Sequence, residues 1–256
     1  MKTNSNSNNS NKFLNQMDEK QSDLCFLARL YYEISHFQEA MDCVERLSQI
    51  NPVFNYDDLM LLNVITKARV DPERSTIRTL ASYSDSEEKE NHVEIVDRIR
   101  NYQDVVKHDL QEFAYRSISL IENVLKPNSD SSENIAFCDK ILGDLYRYIV
   151  ECGDESEREN ARNNAEKCYR EALDIAKADL IICSPVRLNI ILNYAVFVYE
   201  HDKKPDDAIE ILKKLIETDL PGLQQIDGEK RAESERIINV IQNNLGVWCA
   251  QRSYQA

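Results

Sequence analysis

Only 5 glycines and 6 prolines punctuate these 256 residues, about 4% against roughly 12% in ordinary usage. A β-sandwich or barrel needs a turn signal every ~8–12 residues, and a glycine-rich nucleotide fold needs its loops. So few turn residues supply neither. With 42% hydrophobic and 30% charged residues, the chain has the material for a sizeable core and for helices with solvated outer faces. The expected fold is all-α.

The formal net charge is −14, from 31 basic and 45 acidic residues. A surface of that sign repels phosphate backbones and anionic lipid, so no nucleic-acid or membrane partner is expected, although one cationic pocket could sit in an acidic body. No run approaches the ~18 apolar residues of a membrane span, and Met1 to Ser5 does not open a secretory signal. The seven cysteines are scattered, with no Cys-x-x-Cys pair. They read as reduced, mostly packed thiols of a cytoplasmic protein. The four histidines (36, 92, 108, 201) are dispersed, and no zinc-type spacing or nucleophile motif appears. No enzyme activity and no cofactor are expected.

Residues 1–20, rich in Asn and Ser, read as a disordered extension. From residue 21 helical periodicity is almost unbroken, and 21–251 reads as a single domain with 252–256 as a short tail. Helices are expected at 21–34, 36–50, 56–84, 88–125, 133–152, 156–180, from 184, at 205–218 and from 229 to about 251. That makes about nine antiparallel helices in a concave array. In the first, Leu27, Leu30, Tyr31 and Ile34 share a face; in the fifth, Cys138, Ile141, Leu142, Leu145 and Ile149 do. Ser184-Pro185 and Pro205 mark helix starts, whereas Pro52 marks an end. Asp71-Pro72-Glu73 reads as a fresh start inside the third helix. An interior proline costs about 3 kcal/mol, so a kink or break is expected near residue 70. Residues 28–52 and 193–221 loosely resemble tetratricopeptide units, but the 34-residue period of such repeats is not sustained.

Polar residues at two-turn spacing carry the functional signal. Lys140, Asp144 and Arg147 lie at i, i+4, i+7, and Lys67 and Arg74 repeat the seven-residue interval, with Arg78 one turn on. Each stripe reads either as a solvated ladder or as one wall of an anion pocket. Asn193 and Asn244 sit mid-helix on otherwise apolar edges. Asparagine prefers caps and turns, so each amide either is satisfied within the fold or meets a backbone from another molecule.

The segments GDLYRY (143–148), SPVRLNIILNYAVFVYE (184–200) and IINVIQNNLGVW (237–248) resemble the 14-3-3 family in order and spacing. The resemblance covers residues 21–250 and is only outlined over 59–78. It implies an adaptor that binds phosphoserine or phosphothreonine peptides of client proteins in an amphipathic groove. Carried over, it implies a phosphate pocket of Lys67, Arg74, Arg147 and Tyr148, with Lys140 beside it. Asn193 and Asn244 would bond the peptide main chain. Leu192, Val196, Val240 and Val247 would form the apolar wall, with Glu200 and Trp248 at the polar edge. A phosphoserine carries about −1.5 to −2 charges and three acceptor oxygens, which guanidinium forks bind bidentately.

Several positions depart from the resemblance. A break at Pro72 would shift Lys67 relative to Arg74, and Asp71 and Glu73 add negative charge there. The two alternatives are a member whose phosphate binding this impairs and a tetratricopeptide-like scaffold. Asn189 stands where the family has glycine, Ser184 where it has histidine, and eight residues follow Trp248 instead of a long acidic tail. The resemblance also implies a homodimer or heterodimer formed through Leu30, Ile34, His36, Phe37, Leu80, Tyr83, Tyr102 and Asp109. His36 with Asp109 would replace an Arg–Glu pair. Val105 takes a basic residue's place, which removes a second ion pair.

Overall fold

The computed structural model describes residues 21–201, 204–218, 220–226 and 228–255; residues 1–20, read above as a disordered extension, lie outside them. Nine α-helices occupy the described residues, in an all-helical array: α1 (Gln21–Glu33), α2 (Phe37–Ile50), α3 (Tyr56–Lys89), α4 (Val93–Leu120), α5 (Ser132–Cys152), α6 (Glu155–Asp179), α7 (Pro185–Glu200), α8 (Pro205–Thr218) and α9 (Gly228–Gln255). A π-turn (Ile121–Leu125) and a 3-10 turn (Lys126–Asn128) join α4 to α5, and a 3-10 turn (Leu220–Gln225) precedes α9. Residues 252–255, expected as a tail, continue α9 as helix.

Local chemistry sets the starts. Asn55 and Asp58 close a reciprocal capping box on α3: the Asp58 N–H donates to Asn55 Oδ1 at 2.9 Å, and the Asn55 N–H donates to Asp58 Oδ2 at 3.2 Å. Asp154 and Glu157 do the same for α6. The Ser184 hydroxyl accepts from the Arg187 N–H, and Pro185 fills the first position of α7.

The break expected at Pro72 is absent, because α3 runs as one helix from Tyr56 to Lys89. Proline removes one hydrogen bond and costs about 3 kcal/mol. On either side of it Ile65, Val70 and Ile77 are buried, at roughly 1.5–3 kcal/mol per apolar side chain. That burial outweighs the proline, whose ring lies on an exposed face. Glu73 does not enter the neighbourhood of Arg74 as an added charge there. It pairs with Arg69 one turn back.

Helix α5 is the centre of the molecule. It packs against α3, α4, α6 and α7, and 16 of its 21 residues are buried. At Gly143 the approach of α6 is so close that a Cβ would lie 2.7 Å from the Tyr169 ring. Encasement on every side means that the charges of α5 are withdrawn from water and must find partners. The solvated-ladder reading of Lys140, Asp144 and Arg147 is thereby overturned. Five of the seven cysteines are buried, and all are free thiols.

On α1 Leu24 and Ala28 are buried, and Leu27 and Tyr31 of the expected face pack partly against the core. Leu30 and Ile34 point outward instead.

Candidate functional site

The cationic cluster forms where α3, α5 and α7 meet. Its anchor is Asp144, almost wholly buried. Lys140 Nζ lies 2.7 Å from Asp144 Oδ2 and donates to Asn63 Oδ1 at 3.1 Å. Tyr169 on α6 donates its hydroxyl to Asp144 Oδ1 at 2.6 Å, while Arg147 Nη2 stands 3.5 Å from the same oxygen. Burial alone would raise the Asp144 carboxyl, but Lys140, Lys67 and Arg147 hold it well below the usual carboxylate range. Burial lowers Lys140 to about 8 against the pull of Asp144. Lys140, expected in the groove, is only 1% exposed, so its ammonium is enclosed with Asp144 and Asn63 and does not lie on the surface.

Arg74 and Arg147 both reach the ring of Tyr148, with Cζ atoms 4.5 and 4.8 Å from its centroid. The Tyr148 hydroxyl has no hydrogen-bond partner among the described residues. Arg74 Nε donates to both oxygens of Glu151 at 3.1 Å, and Nη2 reaches the same carboxylate. Arg74 Nη1 donates to Asp71 Oδ1 at 3.0 Å. Arg78 shares Glu151 at 2.8 Å. Burial would raise the Glu151 carboxyl, yet Arg74, Arg78 and Arg147 lower it. Arg147 has Glu200 at 4.0 Å as its second acid. Lys67 is half-buried on α3, and among the described residues no hydrogen bond or ion pair holds its ammonium.

The structure thus brings Arg74, Arg147 and Tyr148 into contact, and the charge of Lys67 acts on Asp144 and Lys140. Four supporting residues went unread as site members in the sequence: Asn63, Glu151, Tyr169 and His201. Glu151 carried a signal, since it follows Arg147 by one turn. His201 Nε2 is buried without a hydrogen bond, 3.7 Å from Glu200 and 3.9 Å from Glu151. Burial, with Arg147 and Arg74 beside it, lowers this imidazole to about 4. Glu151, Glu200 and His201 could geometrically surround a metal ion, but Arg74 and Arg78 already bond the Glu151 carboxylate. A second trio, Glu87, Glu90 and His92, lies at the α3–α4 turn, where His92 bonds Glu87.

The expected groove residues are distributed unevenly. Leu192 and Trp248 are buried, Asn193, Val196 and Asn244 are half-buried, and Val240 and Val247 are exposed. Trp248 stacks on Tyr199 at 4.3 Å with the rings 8° from parallel, so it is packing and not an open polar edge. Asn193 turns one N–H back to the Asn189 carbonyl at 3.0 Å. Of the residues expected at a dimer face, Leu30, Ile34, His36, Tyr83, Tyr102 and Asp109 are exposed, and Phe37 and Leu80 are half-buried. Within the chain, His36 Nδ1 sits 3.2 Å from Glu39.

Fold and site together define an all-helical protein with a cluster of cations at the junction of three helices. The sequence profile of the 14-3-3 protein family matches residues 27–249, and the chain belongs to that family. It is 28% identical to a 14-3-3-like protein of Nicotiana tabacum over 91% of this chain and 92% of that one. It is 27% identical to the 14-3-3-like protein GF14 epsilon of Arabidopsis thaliana, over 91% of each. Against 14-3-3 protein 3 of Entamoeba histolytica the identity is 26%, over 91% of this chain and 97% of the relative. A tetratricopeptide reading is not favoured. Among the described residues no helix is long and apolar enough to cross a membrane.

Proposed function

We propose that this chain is a non-enzymatic, cytoplasmic adaptor that binds phosphoserine or phosphothreonine segments of client proteins. Family membership supports a phosphopeptide-binding adaptor role. The observation that carries the reading for this chain is Lys67. It is the one cation of the Lys67–Arg74–Arg147 group without an ion-pair partner among the described residues, at the edge of a cluster whose acids are already committed. In this reading Lys67, Arg74 and Arg147 take the phosphate oxygens, and the Tyr148 hydroxyl donates to them. Leu192, Val196, Val240 and Val247 receive the apolar side of the peptide. Asn193 and Asn244 bond its main chain through donors not used internally.

The unbroken α3 supports keeping Lys67 in register with Arg74, which leaves the Asp71 contact with Arg74 as the remaining ground for the impaired-pocket alternative. Charge-assisted hydrogen bonds contribute about 1.5–3 kcal/mol each. Lys67→Gln and Arg147→Ala should therefore each weaken phosphopeptide binding by roughly tenfold or more by calorimetry. Affinities equal to wild type in both variants would refute the site.

Dimerisation through the outward α1 to α4 residues, including Leu30, Ile34, Tyr83 and Tyr102, belongs to the same reading. Exposed ion pairs are worth ~0–1 kcal/mol each, so apolar contact can hold the dimer without them. A one-chain mass by light scattering at tens of micromolar protein would count against it.

A further inference from the structure

Arg74 is held at both edges by carboxylates, and the two hold it differently. Glu151 lies on another helix, takes Nε and Nη2, is mostly buried and is fixed further by Arg78. Asp71 lies on the same helix three residues earlier, makes one bond to Nη1 and is 56% exposed. The first contact orients the guanidinium. The second covers the remaining edge with a side chain that solvent reaches. Asp71 also acts electrostatically on Tyr148, so its charge bears on the cationic cluster.

We propose that Asp71 is a built-in competitor for phosphate: in the free protein its carboxylate occupies the open edge of Arg74, and a bound phosphate group must displace it. The inference rests on the phosphate-binding reading above and adds a residue that sets affinity there. Because Asp71 and Arg74 are one turn apart on a continuous helix, the competitor is always at hand. A single exposed pair is weak, and a phosphate has three oxygens to engage Arg74, Arg147 and Lys67 together. Displacement is therefore possible, at reduced affinity. Glu73 takes no part, since it is paired with Arg69.

The test uses the full chain and its Asp71→Asn and Asp71→Ser variants. The probes are a phosphoserine peptide pool with randomised flanks and its unphosphorylated counterpart. Loss of a competing exposed ion pair should tighten binding of the phosphorylated pool by roughly two- to fivefold in both variants. Binding of the unphosphorylated pool should not move. Helical content and melting temperature verify that each variant is folded, and the serine variant gives an independent reading beside the isosteric one. A wild type that prefers the phosphorylated pool, with folded variants that bind it no more tightly, overturns the role of Asp71 and leaves the site standing. If neither wild type nor the variants prefer the phosphorylated pool, the phosphate-binding reading falls and the competitor with it. A preference that emerges only in the variants supports the competitor directly.

Discussion

At the scale of single residues, Arg147 owes its position to a short chain of contacts that begins at a glycine. Gly143 lets α6 approach, which puts the Tyr169 hydroxyl between Asp144 at 2.6 Å and Arg147 Nε at 3.4 Å. A Cβ at 143 would meet the Tyr169 ring at 2.7 to 2.9 Å. That ring is fully buried and has little room to yield. Gly143→Ala is therefore expected to destabilise the fold by about 1–3 kcal/mol, the usual cost of overpacking, and to weaken phosphopeptide binding by freeing Arg147. Thermal melting and calorimetry on the same variant check both parts; unchanged binding would show that Tyr169 does not position Arg147. Arg147 and Tyr148 were legible in the sequence through their segment. The burial of Lys140, Asp144 and Arg147 was not, because i, i+4, i+7 spacing is the same on a solvated face and inside a bundle. Which of the two it is depends on α3, α4, α6 and α7 closing around α5, a tertiary fact.

At the scale of elements, the starts of α3, α6 and α7 could be read from the sequence or are explained locally, because capping is settled within four residues. The end of α9 and the course of α3 could not. Asp71-Pro72-Glu73 has all the signs of a helix start, and local propensity lost to the burial of Ile65, Val70 and Ile77. Since α3 is already continuous, Pro72→Ala should supply a missing backbone donor without moving Lys67 relative to Arg74. The expected result is a gain in stability of up to about 3 kcal/mol, with phosphopeptide affinity unchanged. A marked rise in affinity with no gain in stability would mean that the proline distorts the pocket after all.

For the whole molecule, pH separates two kinds of buried acid. Asp144 and Glu151 are held below their ordinary range by their cations, so their stabilisation is present above about pH 4.5 and is lost as the pH falls further. Asp139 behaves in the opposite sense. Burial raises its carboxyl to about 6 despite Lys126 at 2.5 Å, so its charge opposes folding at neutral pH, and that cost fades as the pH falls from about 6 to 4. Asp139→Asn should be more stable than wild type at pH 7, with the gap closing by about pH 4. Melting curves across that range check it, and a gap independent of pH would contradict the assignment.

The net charge of −14 repels anions in general, so an anion binds at the cationic junction of α3 and α5 only where the local cations outweigh that field. The most direct measurement is calorimetry of wild type with one peptide in phosphorylated and unphosphorylated forms, the peptide selected from the randomised phosphoserine pool. At least tenfold tighter binding of the phosphorylated form, about 1.4 kcal/mol, is predicted. Equal affinity for the two would contradict it.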